Sequence, residues 1–186
     1  MRRVGPPFCA AILAIALGVL APTATAGELA PQRLTRSAVF ERVPSLESEI
    51  LFAVNRFRVA HGRMPFRLSG SLRTAAVQHS REMARLGYFA HVSPGGMPFW
   101  RRIAWYYPRR GYRDWGVGEN LEYGSPSLTA VEALHNWLAS APHRQNVLSR
   151  TWRDAGAGAV FVAPAPGIYG DLPTMIVTLD FGERRR

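Results

Sequence analysis

The chain has 186 residues, 47% of them hydrophobic and 19% charged, which supplies one compact core and argues against disorder along most of its length. Its basic residues are all arginine, 23 against 13 acids, for a formal net charge of +10. The single cysteine, Cys9, excludes a disulfide framework, and no repeat of 20–50 residues is visible, which excludes a solenoid.

The N-terminus reads as an export signal over 1–26. Arg2 and Arg3 precede an apolar run from Ala10 to Ala21, and Ala24-Thr25-Ala26 forms a small-x-small cleavage site. The run falls short of the ~20 residues a spanning helix needs and Pro22 closes it, so no transmembrane helix is expected after cleavage. Removal of this segment takes Cys9 with it and leaves 160 residues without cysteine, where 21 basic residues face 13 acids. The expected location is secreted or periplasmic, which disfavours nucleic acid as a partner. Arginine clusters at Arg101-Arg102, Arg109-Arg110 and Arg184-Arg185-Arg186 match anionic envelope components, because guanidinium grips phosphate and carboxylate in a fork. A solvated arginine-rich surface is the plainer account of the same residues.

Residues 27–44 are irregular and proline-flanked, and read as a linker or N-terminal arm, with the domain proper over 45–183. A helix is expected from Ser45, taken as its N-cap, with Ile50, Ala53, Val54, Phe57 and His61 on one face and Gly62 as its stop. A second helix is expected from Ser71 to Leu86, where Leu72, Ala75, Ala76, His79, Met83 and Leu86 share one stripe and Gly87 ends it. His79 on that face reads as a hydrogen-bonded core histidine. From Tyr88 to Gly118 the chain reads as loop, with one short helix over Pro98–Trp105. A third long helix follows Ser127, with Ala130, Val131, Leu134, Trp137 and Leu138 inward and Pro142 as its terminator. Two strands close the chain, Ala155–Ala163 and Thr174–Phe181. Helices first and strands last point to an α+β fold.

No His-Glu-x-x-His, Gly-x-Ser-x-Gly, Gly-x-Gly-x-x-Gly or phosphate-loop string occurs, which removes the common signatures of zinc proteases, serine hydrolases and nucleotide binders. The polar candidates are dispersed. His91, Glu119 and His143 each stand beside glycine or proline, where a backbone can aim a side chain into a cleft. A Ser140–His143 nucleophile and base pair has no orienting third group in the sequence.

Six strings together resemble the CAP superfamily of cysteine-rich secretory, antigen 5 and pathogenesis-related proteins, in its bacterial SCP-like extracellular branch. They are Asn55-x-x-Arg58, Leu72 through His79-Ser80 to Met83-Ala84, Phe89-x-His91-x-Ser93-Pro94, Gly118-Glu119-Asn120, Trp137-x-x-Ser140-x-x-His143-Arg144-x-Asn146-x-Leu148, and Thr178-x-Asp180-Phe181-Gly182. The resemblance runs from about Ser45 to Gly182. It implies a three-layer α-β-α sandwich around a central antiparallel sheet, and a cleft in which His91, Glu119 and His143 match the family's two histidines and first acid. The family's second acid is replaced by Ser140, and its disulfides have no counterpart.

Two neutral imidazoles and a carboxylate can hold a divalent cation such as Zn or Ca, with water in an open position. The same trio can bind an envelope lipid or glycan, with Asn120 and Trp105 as further contacts. It can also serve an acid/base or metal-dependent hydrolase acting on peptide or peptidoglycan, or merely stiffen the fold as a polar network. The expectation is an exported, monomeric ligand-binding domain without assured catalysis. The segment from Phe99 to Arg110, rich in aromatics and arginine, is expected to meet sugar or lipid if it is exposed.

Overall fold

The computed structural model describes residues 38–186. The expected export signal and most of the expected arm lie outside the described residues.

Eleven elements follow in chain order: β1 (Val39–Arg42), α1 (Pro44–Ala60), β2 (Arg67–Leu68), α2 (Gly70–Leu86), α3 (Phe99–Tyr106), β3 (Asp114–Gly124), α4 (Ala130–Ala139), α5 (Ala141–Leu148), β4 (Asp154–Ala163), a 3-10 turn (Gly167–Tyr169) and β5 (Thr174–Arg185). The sheet order is β1-β4-β5-β3, antiparallel throughout, with the two-residue β2 added parallel to the start of β4. Alternation along the strands builds the two outer layers. Ala155, Ala157, Ala159, Val177, Leu179 and Phe181 face α1, α4 and α5, where Ile50, Val54, Trp137 and Val147 are buried against them. Val160, Val162 and Ile176 face Met83 and Ala84 of α2, while Leu72 and Ala75 of α2 pack with Ile103 and Tyr107 at α3. The result is the expected three-layer sandwich.

Glycine allows the tightest of these contacts. A Cβ at Gly156 or Gly158 would overlap the α2 backbone at Leu72–Arg73 or Ala76–Val77, so the helix lies directly on β4.

Local differences from expectation have physical causes. Residues 39–42, placed in the arm, pair with β4 as an edge strand. Pro44 occupies the first turn of α1, where a missing N–H costs nothing, so Val43 and not Ser45 is the N-cap. Pro142 opens a separate helix, α5, for the same reason; α4 has already ended at Ala139. The strand β3 replaces part of the expected loop. Leu86 and Val131, assigned to inward faces, are exposed. The limits of α2 agree with the sequence: Ser69 accepts from the Leu72 N–H, and Gly87 takes the left-handed conformation at φ 69°.

The Asn55-x-x-Arg58 string is structural. Asn55 exchanges two hydrogen bonds with the Phe66 backbone, at 3.0 and 2.8 Å. The buried Arg58 guanidinium lies 3.6 Å from the Phe66 ring centroid and donates to the carbonyls of Met64, Val147 and Ser149. A single arginine thereby joins α1 to the end of α5.

Candidate functional site

Glu119 sits on the β3 edge strand, on the α2 side of the sheet, and its side chain is fully buried. One oxygen lies 2.8 Å from His91 Nδ1 and the other accepts from Arg102 Nη2. Arg102 also donates to the His91 carbonyl and to Ser93 Oγ, both at 3.2 Å. Ser93 Oγ passes a hydrogen bond to Glu82 Oε2 at 2.7 Å, and Tyr88 donates to the same oxygen at 2.7 Å. Helices α2 and α3, the intervening loop and β3 are thus joined through buried polar groups, each partner reducing the cost of burying the next.

His143 reaches this cluster from the opposite layer. Asn120, adjacent to Glu119 and pointing to the other face of β3, donates from Nδ2 to the His143 carbonyl at 3.1 Å. Asn146 donates to Asn120 Oδ1 at 2.9 Å, and the Trp152 indole donates to Asn146 Oδ1 at 3.3 Å. Gly116 and Gly118 leave room for Trp152 on this face; a side chain at either would press on its ring. The His91 and His143 rings come together with centroids 6.3 Å apart, and the His91 side chain is 45% exposed. Burial holds His143 below the ordinary histidine range, reinforced by His91.

The expected site residues therefore divide. His91 contacts Glu119 and lies beside His143, with no hydrogen bond from His143 to Glu119 among the described residues. Asn120 is wholly buried and positions α5, so it offers no group to a ligand. Trp105 is 66% exposed and has no hydrogen bond to the trio. His79 is fully buried, with Nε2 3.1 Å from the Ala90 carbonyl, and pins the loop ahead of His91. Among the described residues no hydrogen bond joins Ser140 to His143, and no three His, Cys, Asp or Glu side chains are grouped to hold a metal ion. Both Glu119 oxygens are already engaged, one by a guanidinium whose charge opposes a second cation, so the trio as folded does not fit Zn or Ca.

Three participants escaped the sequence reading. Arg102 stood in a doubled arginine that reads as surface charge, yet it is buried. Glu82 stood among solvent-facing residues of α2. Asp180 is fully buried directly opposite Glu119 in the β3–β5 register, and no N–H or O–H of a neighbouring residue donates to either of its carboxyl oxygens. The available signal was an acid in the inward phase of Ile176, Thr178 and Asp180.

Burial, with Glu119 facing it, pushes the Asp180 carboxyl well above its ordinary value of 3.8. A folded value above the unfolded one means that the stabilising contribution is full below about pH 3.8 and is lost as pH rises through the folded value. Asp180→Asn is expected to raise Tm at about pH 7 and to flatten stability against pH above the unfolded value. A natively folded variant with unchanged or lower Tm would contradict this account.

Residues 51–169 match the cysteine-rich secretory protein family, CAP. The chain belongs to that family. It is 28% identical over 127 residues to an uncharacterized protein, YkwD, of Bacillus subtilis (strain 168), a match covering 68% of this chain and 47% of that protein. The chain thus spans about half the length of that curated relative. Among solved structures, an extracellular SCP-domain protein from Bacillus anthracis str. Ames superposes with TM-score 0.58 at 24% identity, covering 77% of this chain and 41% of that one. An outer surface protein from Borrelia burgdorferi superposes with TM-score 0.61 at 13% identity, covering 79% of this chain and 100% of that one. These two likenesses bear on the CAP fold. Among the described residues no helix is long and apolar enough to cross a membrane.

Proposed function

We propose that this CAP protein is exported to the cell envelope and binds a polar envelope ligand, a glycan or a lipid headgroup, at the exposed His91–His143 pair. The state of Glu119 carries this reading. Held by His91 and Arg102, the carboxylate is not free to act as a base, but it fixes the His91 ring. With Nδ1–H donating to Glu119, His91 Nε2 is left to accept from a hydroxyl or amide outside. His143, kept neutral by its surroundings, can add a second imidazole contact. Export is supported by the expected leader and by the extracellular and outer-surface relatives.

The test is cosedimentation of the purified protein with peptidoglycan sacculi. His91→Ala and His143→Ala are each expected to weaken binding about 5-fold, the effect of one lost hydrogen bond of average strength. Binding equal to wild type in both variants would overturn the reading. Release of soluble fragments that depends on His91 and Glu119 would replace it with the hydrolase.

A further inference from the structure

A groove of about 680 Å³ lies between β1 and the outer side of α2, lined by Phe40, Gln78, Arg81, Glu82, Arg85 and Leu86. A smaller one of about 180 Å³ shares Gln78 and Arg81 with it and extends along α2 to Arg73. Arg73, Arg81 and Arg85 are spaced by multiples of four residues, so they form a gently drifting stripe about 18 Å long. None of the three forms an ion pair with another described residue. The acid on the groove wall, Glu82, receives Tyr88 and Ser93 through its Oε2, and the neighbouring Arg42 is bound by Glu47. The Glu82 carboxylate keeps its charge, so Arg73, Arg81 and Arg85 outnumber it three to one on this face, beside two apolar side chains, Phe40 and Leu86, which are 44% and 60% exposed.

We propose that this face docks on an anionic lipid surface, with Arg73, Arg81 and Arg85 on lipid phosphates and Phe40 and Leu86 entering the apolar margin. Charge complementarity argues for the anion, since a guanidinium meets phosphate in a two-point contact. The apolar pair argues for a lipid over a soluble polyanion. A polyanion leaves Phe40 and Leu86 in water, whereas an interface removes their surface from it while the arginines stay hydrated. None of the five proposed contacts is His91 or His143; Glu82 on the groove wall reaches the network beneath those imidazoles through Ser93, but the proposal does not depend on the function proposed for them.

The experiment is sedimentation of the purified protein with vesicles of mixed phosphatidylglycerol and phosphatidylcholine, and with vesicles of phosphatidylcholine alone. Binding is expected to the mixed vesicles only and to fall with added salt. The double variant Arg81→Gln, Arg85→Gln is expected to lower partitioning about 30-fold, from the usual worth of two basic side chains at an anionic surface. Phe40→Ser with Leu86→Ser is expected to lower it about 10-fold or more at unchanged circular dichroism. Val131→Ser, on the exposed side of α4 in the opposite layer, is expected to bind vesicles as wild type. Undiminished partitioning of the arginine variant, loss of partitioning in Val131→Ser, or retention on polyphosphate resin without vesicle binding would each overturn the proposal.

Discussion

Arg102→Met is expected to destabilise the domain by about 3–5 kcal/mol, the range for removing one partner of a buried ion pair. At this chain length that corresponds to a Tm lower by about 10 °C. Glu119 is fully buried at its side chain, and Arg102 supplies one of its two contacts together with links to His91 and Ser93. Without the guanidinium the carboxylate must stay charged and under-solvated or take up a proton. Methionine keeps much of the volume, so the loss reports electrostatics more than packing. Thermal melts of Arg102→Met, Glu119→Gln and the double variant decide the matter, because neutralising Glu119 should recover a large part of the loss. A double variant as unstable as the sum of the single ones would show that the two residues do not act as a pair.

Gly158→Val is expected to cost more than about 4 kcal/mol or to prevent folding, a size reserved for severe overpacking or strain. Any side chain at Gly158 points into the α2 backbone at Ala76–Val77, which cannot yield as the end of a flexible side chain can. The helix would have to lift from β4 and lose the burial of Leu72, Ala75, Ala76 and Met83. Gly170→Ala is the comparison. It has open space around it at φ 63° and should lose only about 1–2 kcal/mol for left-handed backbone. Soluble yield and chemical denaturation of the two variants should separate them clearly; similar midpoints would contradict direct packing of α2 on β4.

The sequence was most readable where one segment carries its own signal. The α2 stripe ends in a glycine whose left-handed geometry stops the helix, and β4 and β5 are dense in small and β-branched residues. It misled where a residue's meaning comes from a distant partner. Strand β3 contains glycines, acids and an asparagine, poor strand formers in isolation, yet eleven register pairs with β5 make it a strand. Pro142 ends one helix or begins another equally well, and only the Ser140 turn decides between them. The encounter of His91, Glu119 and His143 could be inferred by likeness to a family but not by spacing, since two layers approach the β3 edge from opposite sides. Arg102 and Asp180 were hidden because charge is ordinarily read as surface, and burial of charge is a property of the finished packing.

Helix α5, which carries His143, is held at both ends. Asn120 binds the carbonyl of His143 itself, while Arg58 and Arg63 take the carbonyls of Val147, Leu148 and Ser149 at the far end. Shifting the helix backbone that carries that imidazole would break these bonds together, so anything arriving at it meets a helix already in place. Little backbone ordering entropy remains to be lost on contact, and the free and occupied backbone shapes of this rim should coincide.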